Sequence, residues 1–294
     1  IGIELYETQV TVSTSKHMEW KPTVLIPIGD VQLGASGCDI ALLKETIKRG
    51  KDVGAYYIGM GDMVDVASPS NRERLQQAVL YDSVYDALEA NAQDRVNELM
   101  EIFAGTEGRW LGLLSGHHFY QFSGGETTDM RLARLLKAPF LGDCSFVRLV
   151  FRHGHETRDV TIWCHHGYGS GGTLAAPLNK IEKIMNTFEA DIYLIGHYHR
   201  TVAAPSPRLY MTNRRPHRVK EIIRYAACTG GFLKGYEAGN KVGITPAGSY
   251  VEKRMLPPLA RGGIAIRMLP TWQRHGATAS AKSSEGAIKI SIEV

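Results

Sequence analysis

Apolar positions along the chain switch between two periods, and each switch marks an element. Residues 24–28 form a short apolar run closed by Gly29 and Asp30, the pattern of a buried strand. Residues 39–50 follow, with Ile40, Leu43 and Ile47 on one face at helical spacing and Gly50 as a stop. A second strand is predicted over 54–61. A largely helical stretch spans 70–103, with Leu75, Val79, Val84, Leu88, Val96 and Leu99 as its apolar positions. A third strand covers 109–116, and Thr127 or Thr128 opens a helix that runs to 137.

The second half is richer in strands. Residues 146–151 and 159–165 flank the turn 152–158 as a hairpin. A helix over about 178–189 leads to a strand over 191–199, and several short strands run on to Met268. The polar, Gly/Ser/Ala-rich stretch 273–285 reads as a loose loop before a last strand, 287–294. Residues 1–20 alternate in places and read as an N-terminal arm or added strand, and 21–294 as a single domain with 68–108 as a helical cap. Strand–helix–strand units followed by antiparallel strands predict an α/β sandwich, two packed sheets flanked by helices.

Composition narrows this little further. At 294 residues the chain can bury a substantial core, and 44% hydrophobic with 22% charged residues is ordinary for a globular protein. No apolar run approaches the ~18 residues of a membrane-spanning helix, so no membrane partner is expected. The opening residues lack the basic-then-apolar layout of a secretory signal, and the absence of a leading Met reads as a processed or trimmed start. Cys38, Cys144, Cys164 and Cys228 are scattered without CxxC spacing, which suits a reduced, cytoplasmic setting. A net charge of +4 is too mild to argue for nucleic acid.

The candidate chemistry sits at predicted strand ends. Asp30 and Gln32, Asp62 and Asp65, His117 and His118, His165 and His166, and His197 and His199 each follow an otherwise apolar strand, several beside a glycine that permits a sharp turn. Any one of these has an ordinary reading as a turn, cap or hydrogen-bonded residue. Together they make a mixed oxygen and nitrogen set suited to manganese, iron, zinc or cobalt rather than calcium. Two such ions ~3.5–4 Å apart can clamp a phosphate and activate a water. His153, His155, His217 and His275 fall outside the set.

In order, these segments read GDVQ, GDMVD, SGHH, CHHG and GHYH. They resemble the D-x-H, GDxxD, GNH, H, GHxH series of the calcineurin-like metallophosphoesterases, over residues 24–199, nearest to phage and prokaryotic members and more distantly to DNA-repair nucleases. The later YAACTGGF is similar to the way such proteins close their second sheet. The resemblance implies a two-sheet metallophosphoesterase sandwich and hydrolysis of phosphate mono- or diesters by a dinuclear centre, diesters and nucleic acid first. The two divalent ions would be manganese first, with iron, zinc, cobalt or nickel as alternatives. It implies Asp62 bridging both ions, Asp30 and His199 on the first, and His197 with a middle histidine on the second. The H-x-G pattern points to His165 as that middle ligand, with His166 left open. It gives His118 the role of protonating the leaving oxygen and Asp65 that of orienting a neighbour.

Two positions depart from the series: Gln32 stands where the family has His, and His117 where it has Asn. Gln32 can still ligate through its carbonyl oxygen, so the first ion is expected to be the weaker and the second better held. A single-metal variant, or a non-catalytic scaffold or binding protein on the same fold, is the alternative. Arg208, Arg214, Arg215, Arg218, Lys220 and Arg224 gather in 207–224, where a basic hairpin would suit a nucleic-acid backbone or simply face solvent. Arg214, Arg215 and Arg218 are the substrate-binding candidates. Residues 167–172, GYGSGG, form a glycine-rich loop beside the metals that could shape the substrate pocket.

Overall fold

The run at 24–28 lies in β2 (Thr23–Ile28), whose side chains alternate between two apolar layers. In a computed structural model the chain is described over residues 12–294, except 36, 68–71, 76–77, 79–80, 170, 214–216, 237–240, 243, 247–249, 254, 256, 259 and 276–282. From β2 the chain crosses through α1 (Ile40–Asp52) to β3 (Tyr56–Gly59), through α2 (Asp82–Ile102) to β4 (Trp110–Leu114), and through α3 (Thr128–Leu135) to β5 (Phe140–Gly142). These four strands are parallel neighbours. The sheet is completed on the far side of β2 by the antiparallel pair β14 (Ala265–His275) and β15 (Ser283–Glu293). Caps agree with the residue chemistry: Asp39 accepts from the Leu42 N–H at the start of α1, and Thr127 from the Met130 N–H at the start of α3.

The second sheet carries β1 (Val12–Glu19) at one edge, then β6 (Cys144–His153), β7 (Glu156–His165), β8 (Ile192–Ile195) and β10 (Val219–Gly231). Helix α4 (Ala176–Met185) bridges β7 and β8, which are parallel. The strand β9 (Thr201–Met211) and the short β13 (Gly262–Gly263) both pair with β10. A small ladder, β11 (Lys241–Val242) with β12 (Thr245–Pro246), and the short helix α5 (Tyr250–Lys253) complete the described elements.

Three apolar clusters show the layering. Leu25, Ile58, Leu111, Phe151, Ile162 and Leu194 meet between the sheets. Ile26, Leu43, Tyr57, Val96, Leu113 and Leu132 join the first sheet to α1, α2 and α3. Trp163, Ile181, Met185, Tyr193 and Cys228 join the second sheet to α4. The result is a four-layer α–β–β–α sandwich, the expected architecture. The buried end of α2 (Ala92, Val96, Leu99, Ile102) packs into this core, so only its exposed first turns are free to cap anything.

Two expectations change. The ends of the loop expected at 273–285 belong to strands, since β14 and β15 stay paired out to His275 and Ser283, while 276–282 lie outside the described residues. The strands after 199 are not all short: β9 and β10 form one long antiparallel arm. Of the two readings of the N-terminal segment, the added strand is the one seen over 12–19, which pair in parallel with β6, while 1–11 lie outside the described residues. Among the described residues no helix is long and apolar enough to cross a membrane.

Candidate metal centre

The C-terminal ends of β2, β3, β4, β7 and β8 open onto one edge, the place where α/β sheets put ligands. The turns there are tied to one another by backbone. Asp30 N–H donates to the Gly61 carbonyl at 3.0 Å, Gln32 N–H to the Asp62 carbonyl at 2.9 Å, and Asp65 N–H to the Leu33 carbonyl at 2.9 Å. Gly116 passes so close to Asp62 that a Cβ there would stand 2.0 Å from the Asp62 nitrogen, so no larger residue fits without moving the loop. Among the described residues eight non-glycines have left-handed φ, and Asp30, Gln32, Asp62, His197 and His199 are five of them, at +48° to +69°. Each costs on the order of 1–2 kcal/mol, and such strain concentrates where function demands an exact side-chain direction.

Asp62, His117, His166 and His197 bring one ligand atom each to within 4.8 Å of one another. Their hydrogen bonds fix which atoms face inward. His166 Nδ1 is 2.7 Å from the Met60 carbonyl, and His197 Nε2 is 2.7 Å from the Gly169 carbonyl. A carbonyl only accepts, so both of those nitrogens carry a proton, and the other nitrogen of each ring is the one turned to the cluster. His166 Nε2 then lies 3.2 Å from Asp62 Oδ2, and His197 Nδ1 lies 3.3 Å from His117 Nδ1. Ring nitrogens converging on a carboxylate in this way fit a cation that displaces their protons, and backbone carbonyls holding the outer ring nitrogens are the usual support of histidine ligands. Asp62 Oδ1 is occupied differently, accepting the backbone N–H groups of His117 and His118.

A second pair adjoins the first. His199 Nε2 is 3.6 Å from Asp30 Oδ1, and Asp30 Oδ2 accepts the His197 N–H at 2.8 Å. Asp30 Oδ1, His166 Nε2 and His199 Nδ1 are buried without a hydrogen-bond partner. Gln32 is buried at the same edge, at 6% exposure. The donor set and the orphaned atoms fit divalent cations.

Electrostatics follow burial and charge. Burial pushes the Asp30 carboxyl up to about 7 and pulls His117 and His199 down to about 4. Burial opposes ionisation of Asp62 as well, but His166 and the hydrogen bonds to its carboxylate hold it well below the ordinary range. His166 is pulled down by burial yet ends near about 9, because the Asp62 charge dominates. His118 lies just outside the cluster with Nδ1 3.2 Å from Asp65 Oδ1. Burial lowers it, but Asp65, Asp62 and Asp30 together keep it above the ordinary histidine value.

His165 points elsewhere. Its Nδ1 accepts the Gly167 N–H at 2.7 Å and its ring stacks on Trp163 at 5.9 Å. Strand parity is the reason: Ile162 and Cys164 face the inter-sheet core and His166 continues that side, while Trp163 and His165 face the other. That parity was readable in the sequence. His165 instead lines a cavity of about 490 Å³ beside His117 and His166. The glycine-rich loop contributes the Gly169 carbonyl that orients His197, and its Tyr168 carbonyl is held by Lys180 and Tyr198.

One neighbour had no sequence signal. The Arg72 guanidinium donates to the carbonyls of His117 at 2.7 Å and Phe119 at 2.9 Å, bracketing His118, and lies over the Phe119 ring. The basic arm is not at the site. Arg218 is eleven residues from Thr229, roughly 35 Å along the strand at ~3.3 Å per residue, while Arg214 and Arg215 lie outside the described residues.

Fold and cluster together define a two-sheet α/β sandwich with Asp and His side chains gathered at its strand ends. Two solved structures are similar to the chain. One is Vps29 complexed with Zn²⁺ from Entamoeba histolytica, at 12% identity and a TM-score of 0.34, covering 91% of this chain and 99% of that one. The other is a conserved uncharacterised protein, a predicted phosphoesterase, from Streptococcus pneumoniae TIGR4, at 14% identity and a TM-score of 0.31, covering 91% and 98%. No family model and no curated protein matches the chain. Likeness this distant has no bearing on chemistry, which rests on the chain's own residues.

Proposed function

We propose that the chain is a metal-dependent phosphoester hydrolase. Asp62, His117, His166 and His197 would hold one divalent ion, and Asp30, Gln32 and His199 with Asp62 a second, weaker one. The observation that carries this reading is the convergence of one ligand atom each from Asp62, His117, His166 and His197 to within 4.8 Å of one another. Three imidazoles and a carboxylate suit manganese, zinc, iron, cobalt or nickel, and we place manganese first. Bound there, divalent ions neutralise phosphoryl charge and lower the pKa of a water toward ~7. His118 turns Nδ1 to Asp65, which leaves Nε2 to hand its proton to the departing ester oxygen. Arg72 holds the peptide on either side of His118 and so fixes where that proton is delivered.

The cavity of about 490 Å³ takes more than a phosphate, and we favour diesters of nucleotide size over monoesters. The free thiols suit a reducing, cytoplasmic setting. The test is hydrolysis of bis-nitrophenyl phosphate, nitrophenyl phosphate and single-stranded DNA by chelator-stripped protein with and without Mn²⁺. Mn²⁺-dependent cleavage that Asp62→Asn abolishes is expected. Intact metal binding without turnover of any of the three would favour the second reading, a partner-binding scaffold. The observation behind that reading is the arm's open apolar face, where Leu209, Met211 and Val219 are 65–70% exposed.

A further inference from the structure

Beside the candidate metal centre lies a second cavity, of about 250 Å³, and the two share a wall made by Arg72 and Phe119. The apolar stripe of α2 accounts for it. Val96 and Leu99 enter the core, but the same face carried back toward the start of the helix presents Leu88 and Tyr85 to the cavity instead. Val66, Leu75, Phe119 and Tyr120 complete its apolar lining.

We infer that this cavity is a nucleobase subsite, which makes the substrate of the adjoining centre a nucleotide ester whose base carries an exocyclic amine. The inference rests on the hydrolase reading above and adds the part of the substrate that reading leaves open. Three features of the cavity agree on it. Its lining combines the aromatic rings of Tyr85, Phe119 and Tyr120 with aliphatic side chains, a surface on which a flat ring stacks. Its boundary with the metal side is the Arg72 guanidinium, a fixed positive charge where a phosphate-bearing substrate would pass from one cavity to the other.

Its polar groups include two acceptors beside the donors Arg72, Tyr120 and Ser123. Glu89 takes the Ser123 N–H on one oxygen and keeps the other, and Gln121 donates its amide to the Gly125 carbonyl, leaving its own carbonyl oxygen for a ligand. Two acceptors at the edge of an aromatic slot can take the amine of adenine, cytosine or guanine, a group that uracil and thymine lack. An acyl chain would fill the apolar part but leave both acceptors and the guanidinium unused.

The test compares nitrophenyl esters of AMP, of UMP and of methyl phosphate, with Mn²⁺. The expected order of kcat/KM is AMP ester above UMP ester above methyl ester. Leu88→Arg, at a half-buried position that tolerates the change, should reduce the AMP-to-methyl ratio at least tenfold, mainly through KM. Glu89→Gln should shrink the AMP-to-UMP ratio. Ratios unchanged in both variants, or a wild type that prefers the methyl ester, would overturn the subsite while leaving the hydrolase standing. If the wild type cleaves none of the three, the hydrolase reading falls. Calorimetric binding of AMP to wild type and to the Leu88→Arg variant then decides the subsite alone: weaker binding by the variant supports it, and equal binding or none overturns it.

Discussion

His166 Nε2 stands 3.2 Å from Asp62 Oδ2 while the other nitrogen of the same ring donates to the Met60 carbonyl. His165, the next residue back, is turned to the opposite side of β7 and takes a backbone N–H instead. Replacing His166 with Ala should therefore weaken divalent-metal binding by at least ~tenfold, the scale at which even supporting residues act. His165→Ala should leave it nearly unchanged. Calorimetric titration of chelator-stripped protein with Mn²⁺ and Zn²⁺ reads the difference, and equal losses would return the ligand role to both residues.

Gln32 and His117 exchange a carboxamide and an imidazole relative to the motif series the chain resembles. Gln32→His should tighten the weaker of two ions, and His117→Asn should loosen the stronger, each on the order of tenfold. Metal stoichiometry at limiting concentration is the measurement. A second ion as weak in Gln32→His as in the parent would show that residue 32 is not a ligand.

His118 is expected to matter in proportion to the leaving group. His118→Asn should cost ~10²–10⁴ on an alkyl phosphodiester, whose alkoxide needs a proton, and much less on a nitrophenyl diester. Equal losses on both would argue for a role in binding rather than in proton donation.

Asp129 is fully buried, with Oδ2 accepting the Gly116 N–H at 3.0 Å and Oδ1 unpartnered. Burial pushes its carboxyl up from 3.8 to about 7. A folded pKa above the unfolded one means the group's stabilising contribution is complete below about 4 and is lost as pH rises through about 7. Asp129→Asn should therefore flatten the fall in stability across that window. Urea unfolding of metal-free protein at pH 5 and pH 8 compares the two, and parallel losses would mean that Asp129 is not the group responsible.

Much of this was legible along the chain because its causes are local. An apolar run sets a strand and a helical spacing sets a buried face. An Asp or His just past a strand lands at the sheet's edge whatever the rest of the fold does. Thr127 and Asp39 cap the helices that follow them for the same reason. Even the choice between His165 and His166 follows from the side that Ile162 and Cys164 share. The strand ends at 273–275 and 283–285 were not legible because pairing partners, not composition, set how far a hairpin runs.

The amino-acid sequence by itself determined the elements, the strand-end motifs and the kind of chemistry those motifs can hold. Tertiary structure alone decided which of them meet. Arg72 reaches the carbonyls on both sides of His118 across forty-five and forty-seven residues of chain, and Leu88 and Tyr85 face the cavity next to it from another helix. The basic residues of the β9–β10 arm are carried away from the centre by the length of their own strands. The reason is physical: periodicity fixes the face a side chain takes on its own element, but distance in space is set by how the elements pack, and a linear pattern carries no direct record of that.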